Sequence, residues 1–467
     1  MTTEKIKFGT DGWRAIIGQD FTVYNVARVS KGLADWLLQE GKNPKVLIGH
    51  DCRFGGELFS GVAAKVLCAN GIKIVLAKGF VSTPMVSLGV LKLKAQQGVV
   101  ITASHNPPPY NGYKLKGAHG GPSSPKVIAA VEAMIPDEVD MPTESLEYWE
   151  LKGMLEYVNL EDMYIEYLQT KFDFEALKKS PFKLAYDAMF GAGQNVIRRL
   201  LPSAVLLHCD NNPGFHGQAP EPLDKNLQEL AKTVATTPEV KIGLATDGDA
   251  DRIGLYDEDG NFVDAHHILL LLIHYLHKYK HMNGKVVIAF SVTDRVKKMC
   301  KVYNLPVEVT PVGFKYISEI MIREDVLVGG EESGGIAVKG HIPERDGIYD
   351  GLVIYEYMTQ SDKTMKQLIQ EVYDVVGSFF YDRKDLHIEN DKKNAIILKA
   401  AAKGYTAFGK YKFNNIETID GIKYHLDNGG WIMLRASGTE PLLRVYAEGN
   451  SKEETADILR DVLETIL

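Results

Sequence analysis

A chain of 467 residues, 45% of them hydrophobic, is long enough for about three domains, each with its own core. Its formal net charge of -8 supplies no general basic field for nucleic acid, so anionic ligands would need local groups of Arg, Lys and backbone amides. Four scattered cysteines, Cys52, Cys68, Cys209 and Cys300, have neither metal-ligand spacing nor the density of a disulfide framework, and MTTEKIKFG lacks the apolar core of a secretory signal, so a soluble chain with reduced thiols is expected.

In chain order, the first apolar strand after a lysine is KVLIGHD at 45–51, and the theme returns as KLAYD at 183–187 and KVVIAFS at 285–291. Each run leads into a small or polar turn and then a helical pattern, which predicts α/β units on largely buried mixed sheets. A period of roughly a hundred residues or more is too long for a solenoid, so three related α/β domains are expected.

Residues 97–102, QGVVIT, read as a buried strand that ends in Ala103-Ser104-His105-Asn106-Pro107, a loop that delivers a hydroxyl into a cleft. The G-x-S-x-G elbow of serine hydrolases is missing, and His105, adjacent in sequence, is not placed as a triad partner. A turn or cap role for Ser104 competes with a chemical one. Pro136 to Pro142 and the charged stretch to Lys152 loosen the chain, and 157–171 begins a helix, so a first boundary falls near 150.

DGDADR at 247–252 alternates Asp247, Asp249 and Asp251, and only a tight turn or irregular loop converges alternate carboxylates on one point. Such a loop suits a hard cation. Mg2+ accepts carboxylates and still leaves room for water and a phosphate oxygen, and Arg252 lies close enough to hold that phosphate. An EF-hand is excluded, because its sixth position needs Gly and here holds Arg252, while 253–256 reads as a strand. A solvated acidic turn is the plainer alternative.

A turn at Gly260-Asn261 places a second boundary near 263. The apolar helix at 266–280, HHILLLLIHYLHKYK, is too short to span a bilayer. GEESGG at 330–335 offers Glu331 and Ser333 to sugar hydroxyls on a glycine-flexible loop after a strand at 325–328. The third unit ends around Val376-Gly377. Alternating strands and a helix at 452–467 form the last domain, where Ser437, Gly438 and Thr439 offer hydroxyls and amides to a phosphate. Arg435 can bind that phosphate bidentately, and Arg444 is a second cation. An ordinary Ser-Gly turn between strands at 431–435 and 442–447 is the competing interpretation.

FGTDGWR at 8–14, TASHNP at 102–107, DGDADR at 247–252, GEESGG at 330–335 and RASGTEPLLR at 435–444 together resemble the alpha-D-phosphohexomutases, in that family's order and spacing. The resemblance implies three related α/β domains with mixed sheets and a smaller C-terminal α+β domain, in a heart-shaped arrangement around a central cleft. The expected boundaries are 1–150 with a phosphoserine loop, 151–263 with a metal loop, 264–374 with a sugar loop and 375–467 with a phosphate loop.

For activity it implies a phosphoserine at Ser104, Mg2+ on Asp247, Asp249, Asp251 and Ser104, and glucose 1,6-bisphosphate as intermediate and activator. His105, Lys114 and Arg14 take catalytic positions by the same resemblance, and Arg252, Lys315 and Arg345 are ligand contacts. Glu331 and Ser333 hold the sugar 3- and 4-hydroxyls. The double-Glu loop and the TPVGFK segment at 310–315 look like glucose-specific members. Bifunctional phosphomannomutases commonly carry Met at the second acidic place and His where Gly335 stands, and the glucosamine enzymes usually show Gln in place of Glu332. Expected partners are hexose phosphates, with no nucleic acid and no membrane, in a cytoplasmic monomer or homodimer. A sugar-phosphate sensor or a Mg2+-dependent sugar phosphatase is the alternative of a different class.

Overall fold

The computed structural model describes residues 5–9, 11–41, 43–436 and 441–467. It divides into two compact units, one of Met1–Lys285 with Gly313–Leu368, the other of Val286–Val312 with Ile369–Leu467.

The first unit contains two complete mixed sheets. One has the strand order Trp13–Ile16, Tyr110–Gly117, Gln97–Ile101, Lys45–His50, Lys73–Ala77, Leu155–Val158. Lys45–His50 runs parallel to both Gln97–Ile101 and Lys73–Ala77, while Tyr110–Gly117 returns antiparallel. The register pairs His50 with Ile101, so the loops beginning at Asp51 and Thr102 leave the same edge side by side. Carboxyl ends of parallel strands are where open α/β sheets place ligands. Val99, Val100 and Ile101 are fully buried, which accounts for an unbroken apolar run instead of an alternating one.

The second sheet orders Phe262–Val263, Ile253–Tyr256, Val240–Thr246, Lys183–Asp187 and Val205–Leu207. Val240–Thr246 feeds the aspartate loop directly, and Ile253–Tyr256 turns back antiparallel to it. Together they hold 247–252 as a loop pinned at both ends. Val326–Gly330 pairs antiparallel with Ile336–Val338, so residues 331–335 form the tight connection between paired strands.

The helix Ala265–His274 continues as a π-helical turn, Tyr275–Tyr279. Its Ile268 to Ile273 are fully buried, so the apolar run is a core helix, and no helix among the described residues is long and apolar enough to cross a membrane. All four cysteines are buried and unpaired.

One expected element shifts. The helix expected at 157–171 forms only over Leu160–Gln169, because Leu155–Val158 joins the first sheet parallel to Lys73–Ala77. Asn159 then caps the helix by accepting a bond from the Asp162 amide. Tertiary pairing here overrides helical periodicity.

In the second unit, 286–289 pairs parallel with Val307–Thr310. The C-terminal part is an antiparallel sheet in the order Phe380–His387, Leu442–Gly449, Trp431–Ala436, Ile422–Leu426, Phe413–Glu417, with helices Asn390–Ala401 and Lys452–Ile466. Its core includes Ile432, Leu434, Leu443, Val445, Ile458 and Val462. The Lys452–Ile466 helix packs its buried Ile458, Leu459 and Val462 inward, three residues of one face at helical spacing.

Candidate active site

Ser104 sits in the left-handed backbone region, φ +51°, and is almost wholly buried. A β-carbon residue in that conformation is strained, and strain of this kind persists where surrounding bonds over-determine it. Those bonds are present. The Ser104 amide donates to Thr102 Oγ1 at 2.9 Å, Thr102 donates to Asp51 Oδ2, and Arg53 donates to the Ser104 carbonyl.

The aspartate loop approaches from the second sheet. Ser104 Oγ donates to Asp247 Oδ2 at 2.7 Å, and a β-carbon on Gly248 would lie 2.6 Å from the Ser104 carbonyl oxygen. Only glycine permits that approach. Asp247, Asp249 and Asp251 are all buried and present carboxylate oxygens within 4.8 Å of one another. Burial, then the charges of Asp249 and Asp251, push the Asp247 carboxyl well above its ordinary range.

The triplet fits a divalent cation on its own chemistry. The donors are hard carboxylate oxygens, and Asp249 Oδ1 and Asp251 Oδ1 are buried without a hydrogen-bond partner. Like charges so close carry a repulsion that a bound cation would relieve. Thr83, at the start of the helix Thr83–Leu93, donates its hydroxyl to Asp249 Oδ2 at 2.5 Å and its amide to the Asp249 carbonyl at 2.9 Å.

Lys114 comes from the strand Tyr110–Gly117 and is fully buried. Its ammonium lies 2.8 Å from Asp249, 3.1 Å from Asp251 and 2.9 Å from Asp11. Burial would lower its pKa, yet Asp11, Asp249 and Asp251 outweigh that and raise it, so the ammonium stays charged. Although burial also works against it, Asp249 is held below the usual carboxylate range by Lys114 and by the Thr83 hydroxyl. Arg345 bridges Asp11 and Asp251 at 2.8 Å each.

Arg14 donates to Asn106 Oδ1 at 2.7 Å, within the serine loop. His105 Nδ1 lies 3.3 Å from Ser104 Oγ. Burial, reinforced by Arg252 and Arg14, drives the His105 pKa well below its ordinary value, so the ring is neutral near pH 7. The Arg252 amide donates to Asp247 Oδ1 at 3.0 Å, and its guanidinium pairs with Glu221 at 3.2 Å.

Glu331 is buried and accepts from the Gly313 amide at 2.8 Å, joining the GEESGG loop to the segment that carries Lys315. Burial raises its carboxyl to about 7. Ser333 is half-buried in the turn. Gly335 lies against Arg345, where a β-carbon would come within 2.5 Å of Arg345 Cδ. Lys315 lines a cavity of about 290 Å³ together with Asp11, Gly12 and Ser123.

In the second unit, Arg435 pairs with Asp420 at 3.2 Å and stands opposite Arg444 in the antiparallel ladder. Ser437, Gly438 and Thr439 lie outside the described residues.

Sequence reading missed Asp11, Thr83 and Arg53. Asp11 was within reach, since it lies inside FGTDGWR and is the acid nearest to Arg14. Thr83 and Arg53 had no local signal, because their partners lie 166 and 51 residues away.

The chain matches all four segments described for phosphoglucomutase/phosphomannomutase: alpha/beta/alpha domain I at 5–140, domain II at 162–260, domain III at 264–376 and the C-terminal domain at 386–465. A Methanosphaera stadtmanae protein named "Probable phosphoglucosamine mutase" is 31% identical, over 97% of this chain and 96% of its own. A Thermococcus kodakarensis phosphoglucomutase/phosphomannomutase is 30% identical, over 97% and 96%. A crystal structure described as a phosphomannomutase from Thermus thermophilus superposes with a TM-score of 0.87 at 32% identity, covering both chains in full. This chain belongs to the phosphoglucomutase/phosphomannomutase family, the alpha-D-phosphohexomutases.

Proposed function

We propose that the protein interconverts glucose 1-phosphate and glucose 6-phosphate, with the phosphoryl group carried on Ser104 and glucose 1,6-bisphosphate as intermediate. The observation that carries the chemistry is the Ser104 hydroxyl seated 2.7 Å from Asp247 in a buried aspartate triplet. In one half-reaction a hydroxyl of the hexose phosphate attacks the phosphate on Ser104. A sugar O–P bond forms, the Ser104 Oγ–P bond breaks, and the hydroxyl's proton ends on Ser104 Oγ. The bisphosphate reorients and returns its other phosphate to Ser104 by the reverse exchange.

Mg2+ held by Asp247, Asp249, Asp251 and the Ser104 oxygen would neutralise charge on the transferring group. Lys114, charged despite burial, supplies a fixed cation for the same charge. Neutral His105 is suited to a proton contact beside Ser104 Oγ. Arg14 steadies the serine loop through Asn106, and Arg252 contacts phosphate.

Glucose over mannose is supported by the double-Glu loop, in which Glu331 is tied to the 310–315 segment and Gly335 leaves no room for a side chain beside Arg345. The glucosamine reading draws on the Methanosphaera relative's name. Turnover per KM for glucose 1-phosphate, mannose 1-phosphate and glucosamine 1-phosphate, with Mg2+ and glucose 1,6-bisphosphate, tests the choice. A tenfold glucose preference, about 1.4 kcal/mol, is expected; near-equal glucose and mannose values would make the enzyme dual-specific, and a glucosamine preference would reassign it. Inorganic phosphate released in step with substrate loss would replace the mutase by a phosphatase, and tight binding without turnover would leave a sensor.

A further inference from the structure

Arg53 lies outside the groups that touch the aspartate triplet, yet its contacts converge on the reactive loop. Its side chain is fully buried. The guanidinium donates to backbone carbonyls of Ser104 at 2.5 Å, Asn106 at 2.6 Å, Pro107 at 3.0 Å and Tyr110 at 3.1 Å. Those residues bracket the whole turn from the serine to the start of the next strand.

Three further contacts fix the guanidinium itself. Asp51 pairs with Arg53 Nε at 3.4 Å and accepts the Arg53 amide at 2.9 Å. Asp51 also accepts from Thr102, the hydroxyl that receives the Ser104 amide. From the second sheet's side, the Phe215 ring covers the guanidinium at 4.9 Å. Phe215 is itself in the left-handed region, φ +47°, in a stretch where Phe190 and His216 share that conformation.

A planar fork with several donors is the one side chain that can hold converging carbonyls at once, whereas lysine offers a single point charge. The carbonyl of Ser104 is oriented by its own φ and ψ, so a bond to that carbonyl fixes the direction of Cα–Cβ and hence of Oγ. Without it, a non-glycine residue at φ +51° relaxes out of the left-handed region, and Oγ leaves the aspartate loop.

We infer that Arg53, seated by Asp51 and covered by Phe215, is a positioning residue that holds the Ser104 loop in the conformation from which Oγ accepts and donates the phosphoryl group. The inference rests on Ser104 as the phosphoryl carrier. Arg53 touches neither the triplet carboxylates nor, by its bonds, any side chain of the serine loop, so its effect falls on the placement of Oγ and leaves sugar recognition alone.

The test is the rate at which glucose 1,6-bisphosphate phosphorylates Ser104, read by intact mass and peptide mapping, alongside kcat and KM for glucose 1-phosphate. Wild type, Arg53→Lys and Phe215→Leu are compared. In Arg53→Lys the phosphorylation rate and kcat fall together by about a hundredfold, with KM changed by less than about threefold and the melting temperature kept within a few degrees. A Lys variant phosphorylated within about threefold of wild type overturns the inference, as does a loss confined to KM. Should Arg53→Lys not fold, Phe215→Leu decides, since it removes the ring and keeps the four carbonyl bonds. A fall of about two- to fivefold in both rates at constant KM supports the clamp, and unchanged rates overturn it. Wild-type protein phosphorylated elsewhere, or not at all, removes Ser104 as carrier and the clamp with it, a result distinct from a phosphorylated wild type with an indifferent Arg53 variant.

Discussion

Ser104 Oγ and Asp247 Oδ2, 143 residues apart in the chain, are joined by a 2.7 Å hydrogen bond at the meeting point of two sheets. Neither sheet alone makes the site. The serine loop leaves the carboxyl end of Gln97–Ile101 and the aspartate loop leaves that of Val240–Thr246, and glycine at 248 lets the two backbones touch. Phosphoryl transfer depends chiefly on positioning and charge, and both are supplied where these loops meet. Ser104→Ala is therefore expected to abolish phosphoenzyme, seen as loss of the phosphate mass, and to cut turnover by at least about a thousandfold. Near-full retained activity would take Ser104 out of the mechanism.

The buried triplet predicts a stability response to Mg2+. Binding to the folded state alone stabilises by about 2.7 kcal/mol at a hundred times Kd, so the melting temperature of metal-stripped protein rises when Mg2+ is added. Asp249→Asn removes one carboxylate charge and most of that rise, and it also reduces turnover. A melting curve indifferent to Mg2+ in the wild type would argue against the triplet as the metal site.

Glu331 gives a pH prediction. Its carboxyl titrates at about 7 in the folded chain against an ordinary 4.5, with burial as the main cause. The ionised form is the one that accepts from sugar hydroxyls, so KM rises as pH falls below 7, and Glu331→Gln flattens that dependence while raising KM overall. For stability the raised pKa has the opposite sense. Its favourable contribution is complete below 4.5 and is lost as pH rises through 7, a change of at most about 3 kcal/mol. Glu331→Gln thus gains stability relative to wild type between pH 5 and pH 8.5, measured as the difference in melting temperature; a constant difference would place the Glu331 pKa near the ordinary value.

Arg435 stands opposite Arg444 in the ladder and pairs with Asp420. As a substrate-phosphate contact it would act on ground state and transition state alike, so Arg435→Ala should raise KM at least about tenfold and lower kcat much less. Steady-state kinetics with glucose 1-phosphate decide this, and an unchanged KM would remove the C-terminal loop as a phosphate site.

Removing the aromatic cover of Arg53 and removing Ser104 should be distinguishable in the same mass spectra. Ser104→Ala yields no phosphorylated species at any time, whereas Phe215→Leu reaches the wild-type level more slowly, because placement alters a rate and the carrier hydroxyl is still present.

Local sequence was sufficient wherever the chemistry is contiguous. DGDADR displays its three carboxylates within one short loop, and TASHNP displays the hydroxyl after an apolar run that can only be a buried strand. The strands at 45–50, 183–187 and 285–289 follow from apolar runs bounded by turns. Leu155–Val158 did not follow, because its strand state depends on a parallel partner, Lys73–Ala77, far away in the chain.

The charge balance of the site was likewise beyond local pattern. Lys114 is one of several lysines in the sequence, and only the register of Tyr110–Gly117 against Gln97–Ile101 buries it between Asp249, Asp251 and Asp11. Thr83 and Arg53 are ordinary residues until folding sets them against Asp249 and the Ser104 carbonyl. The sequence by itself determined which functional groups are present and that two loops carry them; tertiary structure decided which charges meet and which stay uncompensated, because a sheet register brings together groups that the chain keeps more than a hundred residues apart.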